Sequence, residues 1–273
     1  MKEPQKYGNE ITLEEIKMLQ MDILTAIDRF CHDNGIKYSM ACGTLLGAIR
    51  HKGYIPWDDD IDIYLLRKDY NRLISEFPET YSETYKITSL ERSKSWDRPY
   101  AKGYDSKTIL VEDAYCAELL GVNIDIYPID DVPDDETEWL NYDKHRRKWQ
   151  RFFNLTSVKR GKSRFKTFIF KLIHFTTYIY PRRNMAKHLD KMAKRYNNKG
   201  CQRCFENVQG VIQRHPFRKS LFDNIKEYPF EDRLFSAFSD ADEYLTNGYG
   251  NYMELPPVEK RLTHHAYKAY WKQ

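Results

Sequence analysis

The chain contains 273 residues with a net charge of +4, and 41% of the residues are hydrophobic. A chain of this length and composition buries a core as one large domain or two small ones, which excludes disordered and fibrous proteins. The five cysteines are odd in number, which argues against a disulfide framework. No signal peptide is recognisable, and no stretch reaches the roughly 18 apolar residues needed to span a bilayer. We therefore expect a cytoplasmic protein.

The charges are distributed unevenly along the chain. Residues 144–204 contain 19 Lys and Arg residues and a single acid, Asp190, so this segment carries +18 while the remainder carries −14. Such a basic segment raises the alternative of a nucleic-acid-binding protein, whose affinity would fall steeply with salt. The segment has no recognisable nucleic-acid-reading motif, however, and the acidic remainder would repel the same ligand. No nucleic acid is expected as a partner.

The hydrophobic pattern predicts alternating helices and strands in the first half of the chain. Thr12 and Glu15 have capping-box spacing ahead of an amphipathic pattern, which predicts a helix over 12–34. In chain order the sequence then predicts a strand at 36–41, a turn at Gly43 and Thr44, a short helix at 45–51, a strand at 60–65, a helix at 67–77, and strands at 85–90, 98–104, 107–112 and 121–130, the last ended by Pro128.

The second half of the chain is predicted to be mainly helical over residues 135–204 and to mix short elements over 205–273. Together these elements predict an α/β (α+β) protein in which helices flank a mixed sheet and a basic helical region is added. The predicted division is a core at 1–135, the basic helical region at 136–204, and a C-terminal segment at 205–273 that packs back on the core.

A cluster of carboxylates is the most unusual local feature. Asp60 and Asp62 are two apart in a predicted strand, so their side chains leave the same face and repel each other unless water or a cation lies between them. Asp58 and Asp59 precede them, and Asp125 lies in a second alternating strand. Carboxylates suit Mg²⁺ or Mn²⁺, which bind through a few such groups plus substrate phosphates. The alternative is an exposed acidic turn without metal, but acids in mid-strand are disfavoured and favour the metal site.

Residues suited to a phosphate group surround these acids. Gly43 permits close backbone approach, and Thr44 offers a hydroxyl. The cationic candidates to neutralise phosphate oxygens are Arg50, His51, Lys52, Lys102 and Arg261. For the first three the alternative is a solvated helix end, where the helix dipole favours cations.

Three stretches resemble one protein family. "GTLLGAIRHKGYIPWDDDIDIYLLRKDY", "NIDIYPIDDVPDD" and "YLTNGYGNYMELPPVEKR" are similar to the LicD/fukutin-related family, a branch of the nucleotidyltransferase-fold superfamily. The resemblance covers the first 135 residues and the C-terminal tail. It implies a nucleotidyltransferase-like catalytic core at 1–135 and a metal-dependent phosphotransferase. Such an enzyme moves a phospho-alcohol group, most often from CDP-choline, to a cell-surface glycan such as a teichoic acid or lipopolysaccharide precursor and releases CMP.

The same resemblance implies roles for individual residues. Gly43 and Thr44 match the superfamily's glycine–serine turn, with threonine in place of serine. Asp60 and Asp62 match its paired metal-binding acids, and Asp125 matches its third acid, as metal ligand, general base or both. The sequence does not decide which of Asp58 and Asp59 contacts the metal. If choline is carried, its quaternary ammonium needs aromatic faces, and the candidates beside the motifs are Trp57, Tyr54, Tyr100 and Tyr127; the alternative is that these are core aromatics.

Two other enzyme classes fit the same carboxylates. An ordinary nucleotidyltransferase would use a nucleoside triphosphate and release pyrophosphate. A glycosyltransferase with a DxD motif would hold the diphosphate of a nucleotide sugar, although the glycine–threonine turn and the third acid at Asp125 suit it less well.

Residues 164–183 combine an apolar run with flanking Arg and Lys residues. A basic, aromatic-rich helix of this kind can lie in an anionic membrane surface, and a lipid-linked glycan acceptor at the inner leaflet would make that placement useful. The alternative is a helix whose apolar face packs on the core.

Overall fold

The computed structural model describes residues 7–78, 83–112, 114–115, 118–209, 215–261 and 267–273. Within these residues the helices are α1 (Leu13–Asp33), α2 (Cys42–Arg50), α3 (Arg67–Glu76), α4 (Glu136–Leu155), α5 (Arg164–Ile179), α6 (Arg182–Ala193) and α7 (Ala241–Tyr249). The strands are β1 (Tyr7–Ile11), β2 (Ser39–Met40), β3 (Asp62–Leu66), β4 (Tyr85–Thr88), β5 (Ala101–Asp105), β6 (Thr108–Glu112), β7 (Asn123–Val132), β8 (Arg203–Glu206), β9 (Phe217–Arg218), β10 (Ile225–Phe230), β11 (Arg233–Phe238) and β12 (Tyr267–Lys272). The predicted α/β class is confirmed.

A mixed sheet carries the core, in the strand order β2-β3-β7-β5-β4, with β8 and then β9 added along the far end of β7. β3 and β7 run parallel, and the other neighbouring pairs are antiparallel. The long strand β7 therefore pairs with β3 along one edge and with both β5 and β8 along the other. This arrangement agrees with the predicted nucleotidyltransferase-like mixed sheet flanked by helices.

Helix α1 begins as predicted. The backbone nitrogen of Glu15 donates to Oγ1 of Thr12 at 3.3 Å, and the backbone nitrogen of Thr12 donates to Oε2 of Glu15 at 2.7 Å, which completes the capping box. The buried face of α1 packs on β5 and β7 through side chains such as Ile23 and Ile27. A close approach at Gly103 makes this packing possible, because a Cβ there would meet the side chains of both isoleucines.

Strand β7 extends beyond its predicted end. Pro128 lies inside the strand rather than ending it, so the prediction at this residue is wrong. The nitrogen of Asp125 donates toward β3, to the carbonyl of Ile61, so the nitrogen of Pro128 faces the opposite side. On that side β5 pairs as far as Ile126 and β8 pairs from Ile129 onward, so no strand requires a hydrogen bond from residue 128.

The chain after residue 135 is helical as predicted, but it returns to the central sheet earlier than expected. The predicted boundary between residues 204 and 205 falls inside β8. A buried ion pair joins the helical region to the core: the guanidinium of Arg67 bonds both oxygens of Asp130 and reaches Oδ1 of Asp190 in α6 at 2.9 Å.

In the described parts of the chain, no helix has both the length and the apolar content required to cross a bilayer.

The C-terminal segment packs back on the first part of the chain. β12 lies between β1 and β6 in a separate antiparallel sheet. The hydroxyl of Tyr267 in β12 donates to the backbone oxygen of Asp59 at 3.1 Å. This sheet therefore supports the acidic segment that leads into β3.

Candidate active site

A cleft of about 1380 Å³ opens at the start of β3, where the acidic segment enters the sheet. Among the described residues, seven acids line it, against three bases. The acids are Asp58, Asp59, Asp60, Asp62, Glu112, Asp125 and Glu254, and the bases are Arg50, Arg98 and Lys102. The cleft therefore carries an excess of negative charge, which a cationic ligand or metal would offset.

Asp62 and Asp125 both line this cleft. They lie opposite each other on the parallel strands β3 and β7. The backbone nitrogen of Asp125 donates to the carbonyl of Ile61 at 2.8 Å, so the two strands are hydrogen-bonded at the level of the acids. Two carboxylates that are far apart in the sequence are therefore held side by side.

Asp60 also lines the cleft, but from outside the sheet. It lies just before β3, so the prediction that Asp60 and Asp62 share one strand is wrong for Asp60. The hydrogen bonds that hold the preceding backbone explain the difference. The carbonyl of Asp59 accepts from the side chains of Gln20 and Tyr267, which keeps this segment out of the sheet.

The carboxylate of Asp62 is in an unfavourable place for a negative charge. Burial raises its pKa well above the ordinary value, and the neighbouring carboxylates of Asp60, Asp125 and Asp58 raise it further. Repulsion of this kind shows that the four side chains share one electrostatic environment. Such a site gains most from a positive charge placed among the acids.

Asp125 already has a positive neighbour. Nζ of Lys102 lies 2.6 Å from Oδ1 of Asp125, outside hydrogen-bonding geometry, so the contact is an ion pair. The same ammonium donates to Oδ1 of Asn123 at 2.7 Å, and the hydroxyl of Tyr127 donates to Oδ2 of Asp125 at 2.8 Å. Burial opposes the charge on Lys102, but Asp125, Tyr100 and Glu112 together outweigh it and raise the pKa of the ammonium. Both predicted residues, Lys102 and Tyr127, therefore touch the third acid.

Gly43 and Thr44 lie in the first turn of α2 and not in a turn before it, so the predicted start of this helix is wrong. Cys42 adopts a φ of 49°, which turns the chain directly from β2 into α2. A Cβ at Gly43 would overlap Oδ2 of Asp58, so the glycine makes room for that carboxylate. Thr44 lies outside the cleft lining, with its buried Oγ1 accepting from the nitrogen of Asp62 at 2.9 Å.

The three adjacent cationic candidates, Arg50, His51 and Lys52, have different surroundings in the structure. Arg50 lines the cleft, and its Nη1 donates to the backbone oxygens of Tyr252 at 2.6 Å and Glu254 at 3.3 Å. His51 lies outside the lining and packs edge-on against a tryptophan ring, where burial and the charge of Arg50 lower its pKa. Lys52 is exposed in a turn, so only Arg50 of the three reaches the cleft.

Some of the predicted aromatic candidates line the cleft and others do not. Trp57, Tyr100 and Tyr127 line the cleft, and the rings of Tyr100 and Tyr127 lie 4.7 Å apart. Arg261 lies outside the lining, with its guanidinium 5.4 Å from the ring centre of Trp57. Tyr54 is a core residue whose ring packs on a buried phenylalanine. Tyr100 and Tyr127 are also buried members of the core, so the alternative of core aromatics holds for all three tyrosines, and Trp57 is the partly exposed candidate.

Several residues of the cleft were not singled out from the sequence. They come from segments far apart in the chain and are Arg98, Glu112, Ala114, Asn154, Tyr249, Asn251, Tyr252, Leu255, Pro256 and Pro257. The last six lie in the stretch "YLTNGYGNYMELPPVEKR", which the family resemblance had already marked. The hydrogen bonds of Arg50 to this stretch close the cleft on that side.

Within the described ranges, no group of three or more His, Cys, Asp or Glu side chains converges as a preformed metal cluster. The predicted ligands Asp60, Asp62 and Asp125 nevertheless line one cleft. Any metal bound here would have to complete its coordination with substrate oxygens or water, as Mg²⁺ usually does.

Comparison with known proteins gives the family. Residues 35–166 match the family model described as LicD/FKTN/FKRP, nucleotidyltransferase domain. The chain is 32% identical over 271 residues to the lipopolysaccharide cholinephosphotransferase LicD of Haemophilus influenzae, covering 96% of this chain and 98% of that protein. The chain belongs to the LicD family. Membership extends over the basic helical region as well, because the alignment to this relative runs through it.

Two shorter matches are to proteins with no described activity. An uncharacterized protein of Rickettsia prowazekii is 45% identical over 60 residues, which is 22% of each chain. An uncharacterized protein of Rickettsia typhi is 45% identical over 49 residues, which is 17% of this chain and 16% of that protein. These matches add no information about the reaction of this LicD-family chain.

Proposed function

We propose that this LicD-family protein transfers phosphocholine from CDP-choline to a hydroxyl of a cell-surface glycan, such as a lipopolysaccharide or teichoic acid precursor, and releases CMP. The observation that carries the proposal is full-length similarity to a lipopolysaccharide cholinephosphotransferase. The acid-lined cleft supports it, since about 1380 Å³ has room for a nucleotide donor and part of an acceptor.

A divalent cation, Mg²⁺ or Mn²⁺, fits the donor set of the cleft. The candidate ligands Asp60, Asp62 and Asp125 are all carboxylates, and the acids outnumber the bases that line the cleft. Burial and then the neighbouring carboxylates raise the pKa of Asp62, and a cation bound among these acids would offset their mutual repulsion. When bound, the metal would neutralise the diphosphate of the donor and the charge that develops on it during transfer.

In the proposed reaction, the acceptor hydroxyl oxygen attacks the phosphorus that carries choline. A new O–P bond forms, the P–O bond to the cytidine phosphate breaks, and CMP leaves with the electron pair. Asp125 accepts the hydroxyl proton, because Lys102 and Tyr127 hold its carboxylate in a fixed orientation in the cleft. Phosphoryl transfer requires mainly this kind of positioning and charge neutralisation.

The remaining side chains of the cleft suit the two ends of the donor. Arg50, Arg98 and Lys102 supply positive charge for phosphate oxygens. The aromatic residues of the lining offer faces to the quaternary ammonium of choline, each such contact gaining about 0.5–2 kcal/mol. The partly exposed ones are Trp57, Tyr249, Tyr252 and Tyr267, whereas Tyr100 and Tyr127 are buried behind the lining.

We place the reaction in the cytoplasm, where nucleotide-activated donors are made. The described cysteines support this placement, because Cys31, Cys42, Cys201 and Cys204 are all free thiols.

Two measurements test the proposal: one identifies the donor by binding, and the other identifies the reaction by its products. CDP-choline, CDP-glycerol, CDP-ribitol and CTP are titrated by calorimetry with and without Mg²⁺, and the products formed with a glycan acceptor are analysed. Mg²⁺-dependent binding of CDP-choline and formation of CMP with choline-labelled glycan are expected. Binding of CTP alone with release of pyrophosphate would instead establish an ordinary nucleotidyltransferase.

A further inference from the structure

Helix α5 presents an apolar stripe to solvent. None of its residues is buried. Five large side chains recur three or four positions apart and so share one face of the helix. They form what we call the α5 stripe and are exposed by 72% at Phe165, 59% at Phe168, 53% at Leu172, 61% at Phe175 and 82% at Ile179. Contiguous apolar surface of this kind marks an interaction site in a soluble domain.

The surroundings of the α5 stripe are strongly basic. Residues 159–183 contain eight Lys and Arg residues and no acid. Two of these cations turn inward: Arg182 pairs with Asp97, and Arg183 donates to backbone oxygens of the 90–96 segment. The other six make no ion pair with any acid of the described ranges and are Lys159, Arg160, Lys162, Arg164, Lys166 and Lys171.

The apolar stripe and the cations around it together indicate which kind of partner covers this surface. A second copy of the chain would bring two sets of these cations together, and their repulsion opposes such a dimer. An anionic lipid surface offers the opposite charge in its headgroups and an apolar layer directly beneath them. The stripe and the cations therefore match the two layers of one leaflet.

The inner face of α5 connects the stripe to the rim of the cleft. The ring of His174 stacks on Tyr115 with 3.7 Å between ring centres, and its Nδ1 lies 2.7 Å from the backbone oxygen of Thr156. Close to these partners along the chain, Ala114 and Asn154 both line the cleft. His174 comes nine residues, or two and a half helical turns, after the first residue of the stripe, so it leaves the opposite side of α5.

We propose that α5 lies in the surface of an anionic phospholipid leaflet, with the α5 stripe embedded, and so holds one rim of the cleft beside the membrane. Its benefit to catalysis rests on the proposed function, because the placement brings the site to the glycan of a lipid-linked acceptor. The membrane contact itself depends only on the surface of α5.

Vesicle flotation with the full-length protein tests the contact. The probes are vesicles of phosphatidylcholine alone and vesicles that also contain phosphatidylglycerol. The test variant is Phe168→Ser/Phe175→Ser, and the matched control is Leu140→Ser/Leu234→Ser, which removes two apolar side chains that are 58% and 55% exposed elsewhere. We expect binding to the anionic vesicles that falls at least about tenfold in the test variant and is retained in the control.

The outcomes separate this proposal from the proposed function. Absence of binding to anionic vesicles, equal binding to both vesicle types, or equal loss in both variants would overturn the membrane contact. Self-association of the native protein that the test variant abolishes would assign the stripe to a second copy instead. Phosphocholine transfer to a water-soluble acceptor is measured in parallel; it should be unchanged in the test variant, and its absence from the native protein would reject the proposed function while vesicle binding stands.

Discussion

Asp62 and Asp125 lie directly opposite each other on adjacent parallel strands, although they are far apart in the sequence. Both side chains line the same cleft, where burial raises the pKa of Asp62 and the charges of Asp60 and Asp125 raise it further. The sheet therefore forces two like charges together at its centre. A fold that keeps such a pair sacrifices stability at this point, and this trade-off is typical of functional sites.

Replacement of Asp62 by asparagine tests that trade-off. Asp62→Asn replaces a buried carboxyl group, whose ionisation is opposed by burial and by the neighbouring carboxylates, with a neutral amide, so we expect a higher melting temperature in metal-free buffer at neutral pH. The same change should lower phosphocholine transfer at least about 100-fold, the scale for losing one group that stabilises transition-state charge. Melting curves and product formation are measured on the same preparation.

Asp232→Asn is the matched control, because this side chain is 81% exposed and pairs, among the described residues, with the adjacent Arg233. It should change neither quantity. A variant at Asp62 that keeps full activity would contradict the assignment of this acid to the site.

The ion pair between Lys102 and Asp125 predicts a coupled effect on stability. Their side chains are only 9% and 18% exposed. Lys102→Met leaves the Asp125 carboxylate without its counter-charge, and breaking a buried pair in this way costs about 3–5 kcal/mol. Combining it with Asp125→Asn should restore much of that loss, because no unpaired charge remains.

Urea denaturation of the native protein, both single variants and the double variant gives the coupling free energy of this pair. Strictly additive losses would show that the two side chains do not interact. The more exposed ion pair of Arg72 and Glu76 on α3 serves for comparison, and its coupling should be below about 1 kcal/mol.

The hydroxyl of Thr44 is predicted to act as a positioning group for Asp62. Thr44→Val leaves the nitrogen of Asp62 without its acceptor in a buried place, which costs about 1–3 kcal/mol. Because Thr44 does not line the cleft, we expect kcat to fall while the affinity for CDP-choline changes little. Thr44→Ser keeps the hydroxyl and should retain activity. An equal loss in both variants would argue for a packing role of the methyl group.

Asp28 predicts a pH dependence of stability outside the cleft. Its Oδ1 accepts from the hydroxyl of Tyr38 at 2.6 Å, but burial outweighs this bond and raises the pKa above the ordinary value of 3.8. A raised folded-state pKa favours the protonated native state, so this stabilisation is present in acid and is lost as the pH rises above 3.8 through the folded value. The free energy of unfolding of the native protein relative to Asp28→Asn should therefore decrease between about pH 4 and pH 7, as urea denaturation would show. An unchanged difference across this range would contradict the raised pKa.

The sequence predicts the parts of this protein that depend on local patterns. The capping box of Thr12 and Glu15 sets the start of α1, and the alternation around Asp62 and Asp125 identifies two strands that pair in the central sheet. Each of these signals comes from neighbouring residues and a known periodicity.

The errors arise where tertiary contacts override local patterns. The left-handed backbone of Cys42 starts α2 early, and a proline is allowed inside β7 because the neighbouring strands leave residue 128 unpaired. The ion pair of Asp125 with Lys102 could not be predicted either, because it depends on the antiparallel pairing of β5 with β7. Such contacts are set by strand order, which no local pattern records.

Arg50 gives a final prediction, about the closure of the cleft. Its guanidinium bonds two backbone oxygens of the loop after α7, at Tyr252 and Glu254, and burial lowers its pKa. Arg50→Met should release this loop, so protease cleavage near Met253 becomes faster and the affinity for CDP-choline falls about tenfold, the scale of one hydrogen bond to a charged group. Arg50→Lys should recover little, because a single ammonium cannot span both oxygens as the planar fork does. If Arg50→Met weakens donor binding without faster cleavage, the guanidinium acts on the phosphate alone, as in the proposed function, and does not hold the loop.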